Sequence, residues 1–150
     1  MIYTELTIRA MNLAYAAHHG QKDRSGVPYI FHPFHLAEQM EDAYAVCAAL
    51  LHDVLEDTQV TAEELRKEFP SEVTEAVELL TRDKQEDYFA YVQRLGKNPI
   101  ARAVKLADLR HNMDASRIPQ PTPETAEWTK AHQEKYKRAE KILLEMAQAE

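Results

Sequence analysis

Apolar residues recur at helical spacing from the start of the chain. Leu6, Ile8, Met11, Leu13, Ala14 and Tyr15 outline one face within Thr4–His19, and Gly20 stops the pattern. From Gln21 to Pro28 there is charge, a glycine and a proline but no period, which predicts a polar loop. Pro33 opens a short helix to Met40, because the ring presets the dihedral of a first helical turn. Asp42 then caps a helix running from Ala43 to about Asp53. This second helix is apolar nearly all round, so it belongs at the centre of the domain. Thr61 and Glu64 have capping-box spacing and begin a helix that Pro70 ends, and Ser71 starts the next. A helix over Asp87–Leu95 ends at Gly96. Asn98-Pro99, a cap followed by a first-turn proline, opens another that reaches about Met113. Pro119, Pro121 and Pro123 stiffen a connector before a final helix over about 124–147. There is no internal repeat and no heptad run.

Composition sharpens this picture. Only 3 of the 150 residues are glycine, which leaves little material for hairpins, so the expected fold is all-α in one domain over residues 1–150. A formal net charge of -7 with no basic cluster argues against general affinity for nucleic acid, although a small positive pocket can still hold an anion. The longest apolar run, Ala43–Leu51, is far short of the ~20 residues that cross a bilayer. Glu5 and Arg9 interrupt any signal-peptide pattern, and the expected location is the cytoplasm, away from membranes. Cys47, the one cysteine, lies inside the apolar run and reads as a small core residue in a reducing compartment. Tyr3, Tyr15, Tyr44 and Phe69 are expected in the core, and Tyr88-Phe89-Tyr91 as packing for one helix. Trp128, on a charged helix, suits a helix contact or a surface between copies in a homo-oligomer.

The chemistry begins at His52-Asp53, directly after the buried run. An imidazole and a carboxylate there need compensation, and a divalent cation supplies it at a helix end whose dipole already favours positive charge. Taken alone the pair more often describes a buried hydrogen-bonded contact, because structural ion pairs are the commoner event. Asp108, between Leu106-Ala107 and Leu109, is a second carboxylate in apolar company and a natural further ligand. It shares a helical stripe with Lys105, His111 and Asn112. His32, between the polar loop and Pro33, is the fourth candidate. Two imidazoles and two carboxylates suit Mn²⁺, Fe²⁺, Co²⁺ or Zn²⁺ better than Ca²⁺. If the helical course continues past His52, Glu56 and Asp57 stand one turn further on, where carboxylates can orient and deprotonate water. Arg24 and Lys105 are candidate phosphate contacts, Lys22 reads as surface charge, and His111 as a support for the site. His18, His19, His35 and His132 lack a partner pattern and read as structural or exposed.

Tyr29-Ile30-x-His32-Pro33, Leu50–Thr58 and Val104–Asp108 through His111-Asn112-Met113 together resemble three signatures of the HD-domain phosphohydrolases. The branch they resemble is the RelA/SpoT-type (p)ppGpp hydrolases and the stand-alone small alarmone hydrolases. The resemblance covers about residues 18–112. It implies an all-helical HD fold and Mn²⁺, or another divalent transition metal, held by His32, His52, Asp53 and Asp108. It also implies that Glu56 and Asp57 act on the attacking water, and that pyrophosphate is removed from the 3′ position of guanosine 3′,5′-bis(diphosphate). Nothing here resembles the family's synthetase domain. Substrate contacts then fall to Arg24, Ser25, Lys105 and Asn112. The departures concentrate on recognition. Where the family resembles Gln-x-Arg-Lys-Ser-Gly, this chain has Gln21-Lys22-Asp23-Arg24-Ser25-Gly26, and Asp114-Ala115 replaces an expected Arg-Thr. Two other readings therefore stay open: a different nucleotide, such as a nucleoside monophosphate, a deoxynucleoside triphosphate or NADPH, or a nucleotide-sensing module without turnover.

Overall fold

The structure, a computed structural model, describes residues 1–150. Its helices are α1 (Glu5–Ala17), α2 (Phe31–Glu38), α3 (Ala43–Leu51), α4 (Val54–Asp57), α5 (Ala62–Glu68), α6 (Ser71–Leu80), α7 (Tyr88–Gly96), α8 (Pro99–Asn112) and α9 (Pro123–Gln148). A single 3-10 turn covers Ala115–Arg117, and the only extended pairing is an isolated bridge between Lys22 and Pro28. The expected all-α class is therefore what the chain adopts. No helix is long and apolar enough to cross a membrane.

Side-chain caps set most of the helix starts. Asp42, Thr61, Asp87 and Asn98 accept hydrogen bonds from backbone N–H groups in the first turns of α3, α5, α7 and α8. Two reciprocal boxes escape the usual Ser/Thr…Glu/Gln signature because threonine fills both positions. Thr4 and Thr7 close one at α1, and Thr122 and Thr125 close the other at α9. α2 starts at Phe31, two residues before the proline expected to open it. Pro33 fits at its third position, since the first four helical N–H groups have no partner inside the helix.

α3 is the hub, packed against α1, α2, α6 and α8, with every residue from Ala45 to Leu51 buried. α1 meets it through Thr7, Ala10 and Ala14, small side chains that allow close approach of two helices. The hydrophobic face read from the sequence is thus rotated. Ile8 and Tyr15 are exposed, as are Tyr3 and Tyr44, and of the four aromatics expected in the core only Phe69 is buried. Cys47 is fully buried. α9 lies over α7 and α8, and Gly96 marks the tightest point, where an added Cβ would stand 2.6 Å from Met146 Sδ.

α3 stops at Leu51 instead of continuing to Asp53. His52 and Asp53 form a break before α4, with Asp53 at φ -108° and ψ 1°. This kink turns the end of the hub helix toward the N-terminal turn of α2 and the C-terminal half of α8.

Candidate metal centre

Four segments converge at the break: the end of α3, the first turn of α2, the 105–112 stripe of α8, and Tyr29 from the loop before α2. Donor atoms of His32, His52 and Asp53 lie within 4.8 Å of one another, and Asp53 also belongs to a second such group with Glu56 and Asp57. Asp108 Oδ1 stands 2.9 Å from His32 Nε2 and 3.8 Å from His52 Nε2. All four residues expected as ligands are therefore brought together. Glu56 and Asp57 join them through a separate short helix, where the sequence suggested a continuous one.

The hydrogen bonds around the two imidazoles identify which nitrogen faces the cluster. His52 Nδ1 donates to the carbonyl of Ala49 at 2.7 Å, so Nδ1 carries a proton. Its Nε2 is buried without an aligned hydrogen-bond partner, although Asp53 Oδ2 is 3.1 Å away. His32 Nδ1 meets His111 Nδ1 at 2.7 Å, and His111 is kept neutral because burial, and then Arg117, push its pKa down to about 4. When His32 Nδ1 donates to His111, its Nε2 also presents a lone pair to Asp108. Two imidazole lone pairs turned toward carboxylates are the arrangement a cation completes, with the remote nitrogens tied down by outer partners. Without a metal the same place is filled by a proton. Burial opposes the His52 imidazolium, but Asp53, Asp108 and the Ala49 carbonyl outweigh it and raise its pKa to about 9.

The carboxylates are tethered as well. Burial alone would raise Asp108, yet Lys105, with His32 and His52, holds it well below the usual carboxylate range. Lys105 Nζ bonds Asp108 Oδ2 at 2.8 Å, and Asn112 Nδ2 donates to Oδ1 at 3.1 Å. Burial likewise opposes ionisation of Asp53, but His52 overcomes it and lowers the pKa, and the Tyr29 hydroxyl donates to Asp53 Oδ2. Glu56 and Asp57 are on the exposed rim. Partial desolvation raises both, and neighbouring carboxylates add to it. One Glu56 oxygen accepts the Arg82 backbone N–H at 2.5 Å, leaving the other free.

The four expected substrate contacts are placed differently from one another. Lys105 and Asn112 both engage Asp108, so their polar ends serve the cluster itself. Ser25 Oγ donates to the Arg117 carbonyl at 3.0 Å. The Arg24 guanidinium lies 3.9 Å over the Trp128 ring. Residues to which the sequence assigned no part in the site also contribute. His18 is buried and bonds Gln21 through Nδ1 at 2.8 Å, and Gln21 Nε2 donates to the Asp57 carbonyl at 2.9 Å, so the end of α1 braces the acidic turn. Arg117 Nη1 donates to the His111 carbonyl at 3.0 Å. Nothing in the proline-flanked connector signals that role.

An all-helical domain that gathers paired imidazoles and aspartates at a helix break has the hallmarks of the HD domain. The HD domain family model matches residues 10–149, and the chain belongs to that family. It is 39% identical over 122 residues to a Streptomyces coelicolor GTP pyrophosphokinase, covering 73% of this chain and 14% of that protein. It is 41% identical over 119 residues to a Haemophilus influenzae guanosine-3′,5′-bis(diphosphate) 3′-pyrophosphohydrolase, covering 67% of this chain and 17% of that protein. The chain thus spans less than a fifth of the length of these relatives. A solved structure of a metazoan ortholog of SpoT that hydrolyzes ppGpp superposes with a TM-score of 0.74 at 25% identity, covering 97% of this chain and 87% of that one.

Proposed function

We propose that the protein is a metal-dependent hydrolase that releases pyrophosphate from the 3′ position of guanosine 3′,5′-bis(diphosphate). The observation that carries this reading is the shared Asp53, which belongs both to the buried His32–His52 group and to the open Glu56–Asp57 group. On this reading a cation-holding centre and a pair of proton acceptors stand side by side. The activities of the Haemophilus relative and the metazoan ortholog support the substrate.

In this reading His32, His52, Asp53 and Asp108 hold the cation, and the mixed imidazole and carboxylate set favours Mn²⁺ or a neighbouring transition metal. When bound, the cation supplies Lewis acidity toward a phosphoryl oxygen and lowers the pKa of water. Lys105 and Asn112 keep Asp108 aimed into the centre, and His111 and Ala49 fix the two imidazoles. Glu56 takes the proton of the attacking water on its free oxygen, its other oxygen being anchored by Arg82. Its raised pKa brings it closer to neutrality, where a general base works best. Asp57, braced through its carbonyl by Gln21, orients the same water. The substrate is a free nucleotide in the cytoplasm, and no nucleic acid takes part.

The deciding experiment measures pyrophosphate and phosphate release from guanosine 3′,5′-bis(diphosphate), its 5′-triphosphate form, NADPH, nucleoside triphosphates, deoxynucleoside triphosphates and nucleoside monophosphates, with Mn²⁺ and with chelator. Metal-dependent pyrophosphate release from the two 3′-diphosphates is expected. Activity confined to another nucleotide replaces the substrate, and turnover indifferent to chelator refutes the mechanism.

A further inference from the structure

α7 begins with two aromatic residues, Tyr88 and Phe89, and α9 lays two basic side chains across them. Lys135 Nζ lies 4.0 Å over the Tyr88 ring and Arg138 Cζ 4.0 Å over Phe89, since residues three apart share a helix face. Arg82, from the turn after α6, stands 5.6 Å from the centre of the same Tyr88 ring. The two cations of α9 differ in their surroundings. Arg138 is exposed, whereas Lys135 is half-buried in the neighbourhood of Arg82 and Lys105. Burial, and then these two cations, push the Lys135 ammonium below its ordinary pKa.

No carboxylate is left to balance this group. Asp108 is already engaged by Lys105, His32 and Asn112. Glu86 is held by Arg94, whose Nε and Nη2 donate to its two oxygens at 2.9 and 3.0 Å. Arg82 donates through Nε and Nη2 to the Glu86 carbonyl at 3.1 and 2.9 Å, which leaves Nη1 free. Lys135 makes no ion pair, and the charges acting on it are cations alone. The Tyr88 hydroxyl is buried without a hydrogen-bond partner. Crowded cations beside an unsatisfied donor are the surroundings that an anion relieves. The place also borders the reaction centre, because the Arg82 backbone N–H anchors Glu56 and Lys105 anchors Asp108.

We infer that Lys135, Arg82 Nη1 and the Tyr88 hydroxyl form an anion subsite for the distal phosphate of the 3′-diphosphate, and afterwards for the pyrophosphate product. This rests on the hydrolase reading above and names where that reaction's diphosphate is held. An ammonium, a guanidinium edge and a hydroxyl are separate donors that suit the several oxygens of a terminal phosphate better than the two of a carboxylate. The 3′ end is favoured over the 5′ end because the reacting phosphorus must stand beside Glu56, and the distal phosphate is the next group along. Lys135 then does what Lys105, committed to Asp108, is not free to do.

The test uses the full chain loaded with Mn²⁺, and its first readout needs no turnover. Inorganic pyrophosphate and guanosine 5′-diphosphate are titrated by calorimetry into the unsubstituted protein, Lys135→Met, Lys135→Arg, Tyr88→Phe and Arg138→Met. Lys135→Met keeps the stem over Tyr88 and removes the charge. It should weaken pyrophosphate roughly ten- to hundredfold, the scale of a charge-assisted hydrogen bond, and leave guanosine 5′-diphosphate, which has no 3′ phosphate, within about threefold. Lys135→Arg should restore most of the loss, Tyr88→Phe should cost a smaller factor, and Arg138→Met should change neither ligand. In steady-state kinetics Lys135→Met should raise KM for guanosine 3′,5′-bis(diphosphate) and the inhibition constant of pyrophosphate by a similar factor, with kcat changed less than either. Pyrophosphate binding indifferent to Lys135→Met overturns the inference, and an equal loss for guanosine 5′-diphosphate overturns the assignment to the 3′ end. Lys135-dependent pyrophosphate binding in a protein that does not turn over the nucleotide keeps the subsite and removes the proposed reaction. Turnover with an unchanged KM in Lys135→Met keeps the reaction and removes the subsite.

Discussion

Replacing Lys105 by methionine tests whether Asp108 faces a cation. The substitution keeps the length of the stem and its packing near Tyr91, over which Lys105 lies at 5.5 Å, and removes only the charge. Lys105 and Asp108 are 2.8 Å apart with side chains only 14% and 8% exposed, so solvent screening is weak. Breaking a buried pair typically costs ~3–5 kcal/mol. Asp108 retains Asn112 at 3.1 Å, and His32 Nε2 at 2.9 Å when that nitrogen carries a proton, which places the cost near the lower end of that range. For a domain of this size about 3 kcal/mol corresponds to a Tm drop of roughly 6–12 °C. That drop should appear in chelator. At saturating Mn²⁺ the positive charge missing from the variant is supplied from the other side of Asp108, so the variant gains more from the metal than the unsubstituted protein does. Urea denaturation with chelator and with Mn²⁺ gives the four stabilities required. A difference between the two proteins that is the same in both conditions refutes the placement of Asp108 against the cation.

Other perturbations separate the parts of the centre. Asp53→Ala removes the carboxylate shared by both groups and should abolish Mn²⁺ binding by calorimetry together with turnover; retention of either contradicts the assignment. Glu56→Gln should bind Mn²⁺ normally while kcat falls ~10²–10⁴-fold, and a normal rate would remove Glu56 as the base. The metal-free protein should lose stability as pH rises. Its His52 pKa is raised to about 9, so the stabilisation is fully present below the ordinary imidazole value near ~6.5 and disappears on passing through about 9. Thermal scans in chelator between these limits should show the decline, and Mn²⁺ should abolish it; a flat profile in chelator contradicts a proton held at His52.

The helices were legible because their punctuation is local. Asp42, Asn98-Pro99 and the proline-flanked start of α9 act within one turn of themselves, and the continuous apolar run of α3 states its own burial. The buried face of α1 was not legible, because Leu6, Ile8, Tyr15 and Ala14 all count as apolar, and only the close approach to α3 selects the alanines. The same distinction applies at the site. His52-Asp53 and Asp108 are conspicuous as polar residues in apolar sequence, whereas the ties that orient them span long separations. His32 meets His111 across 79 positions, and Gln21 reaches Asp57 across 36. The contact of Arg24 with Trp128 is of the same kind, since no local pattern links two residues so far apart in the chain.

Charge explains why a cation belongs at the core of the mechanism. Asp53, Glu56, Asp57 and Asp108 crowd one end of α3, α4 and α8, and Lys105 is an ammonium in direct contact with Asp108. The chain as a whole carries -7. In the proposed reaction a substrate with two diphosphates meets a negative protein and a negative site, and two carboxylates must remain ionised near its phosphorus to handle water. Arg24 lies over Trp128 and Arg117 pairs with Asp23, and neither makes an ion pair with these four carboxylates. A divalent cation held by His32, His52, Asp53 and Asp108 would reverse the local sign without consuming Glu56 or Asp57. Neutralising the same acids with more lysines would lower their pKa and weaken them as bases. The arrangement therefore puts positive charge on one side of Asp53 and leaves proton acceptors on the other, which is what hydrolysis of a polyanion requires.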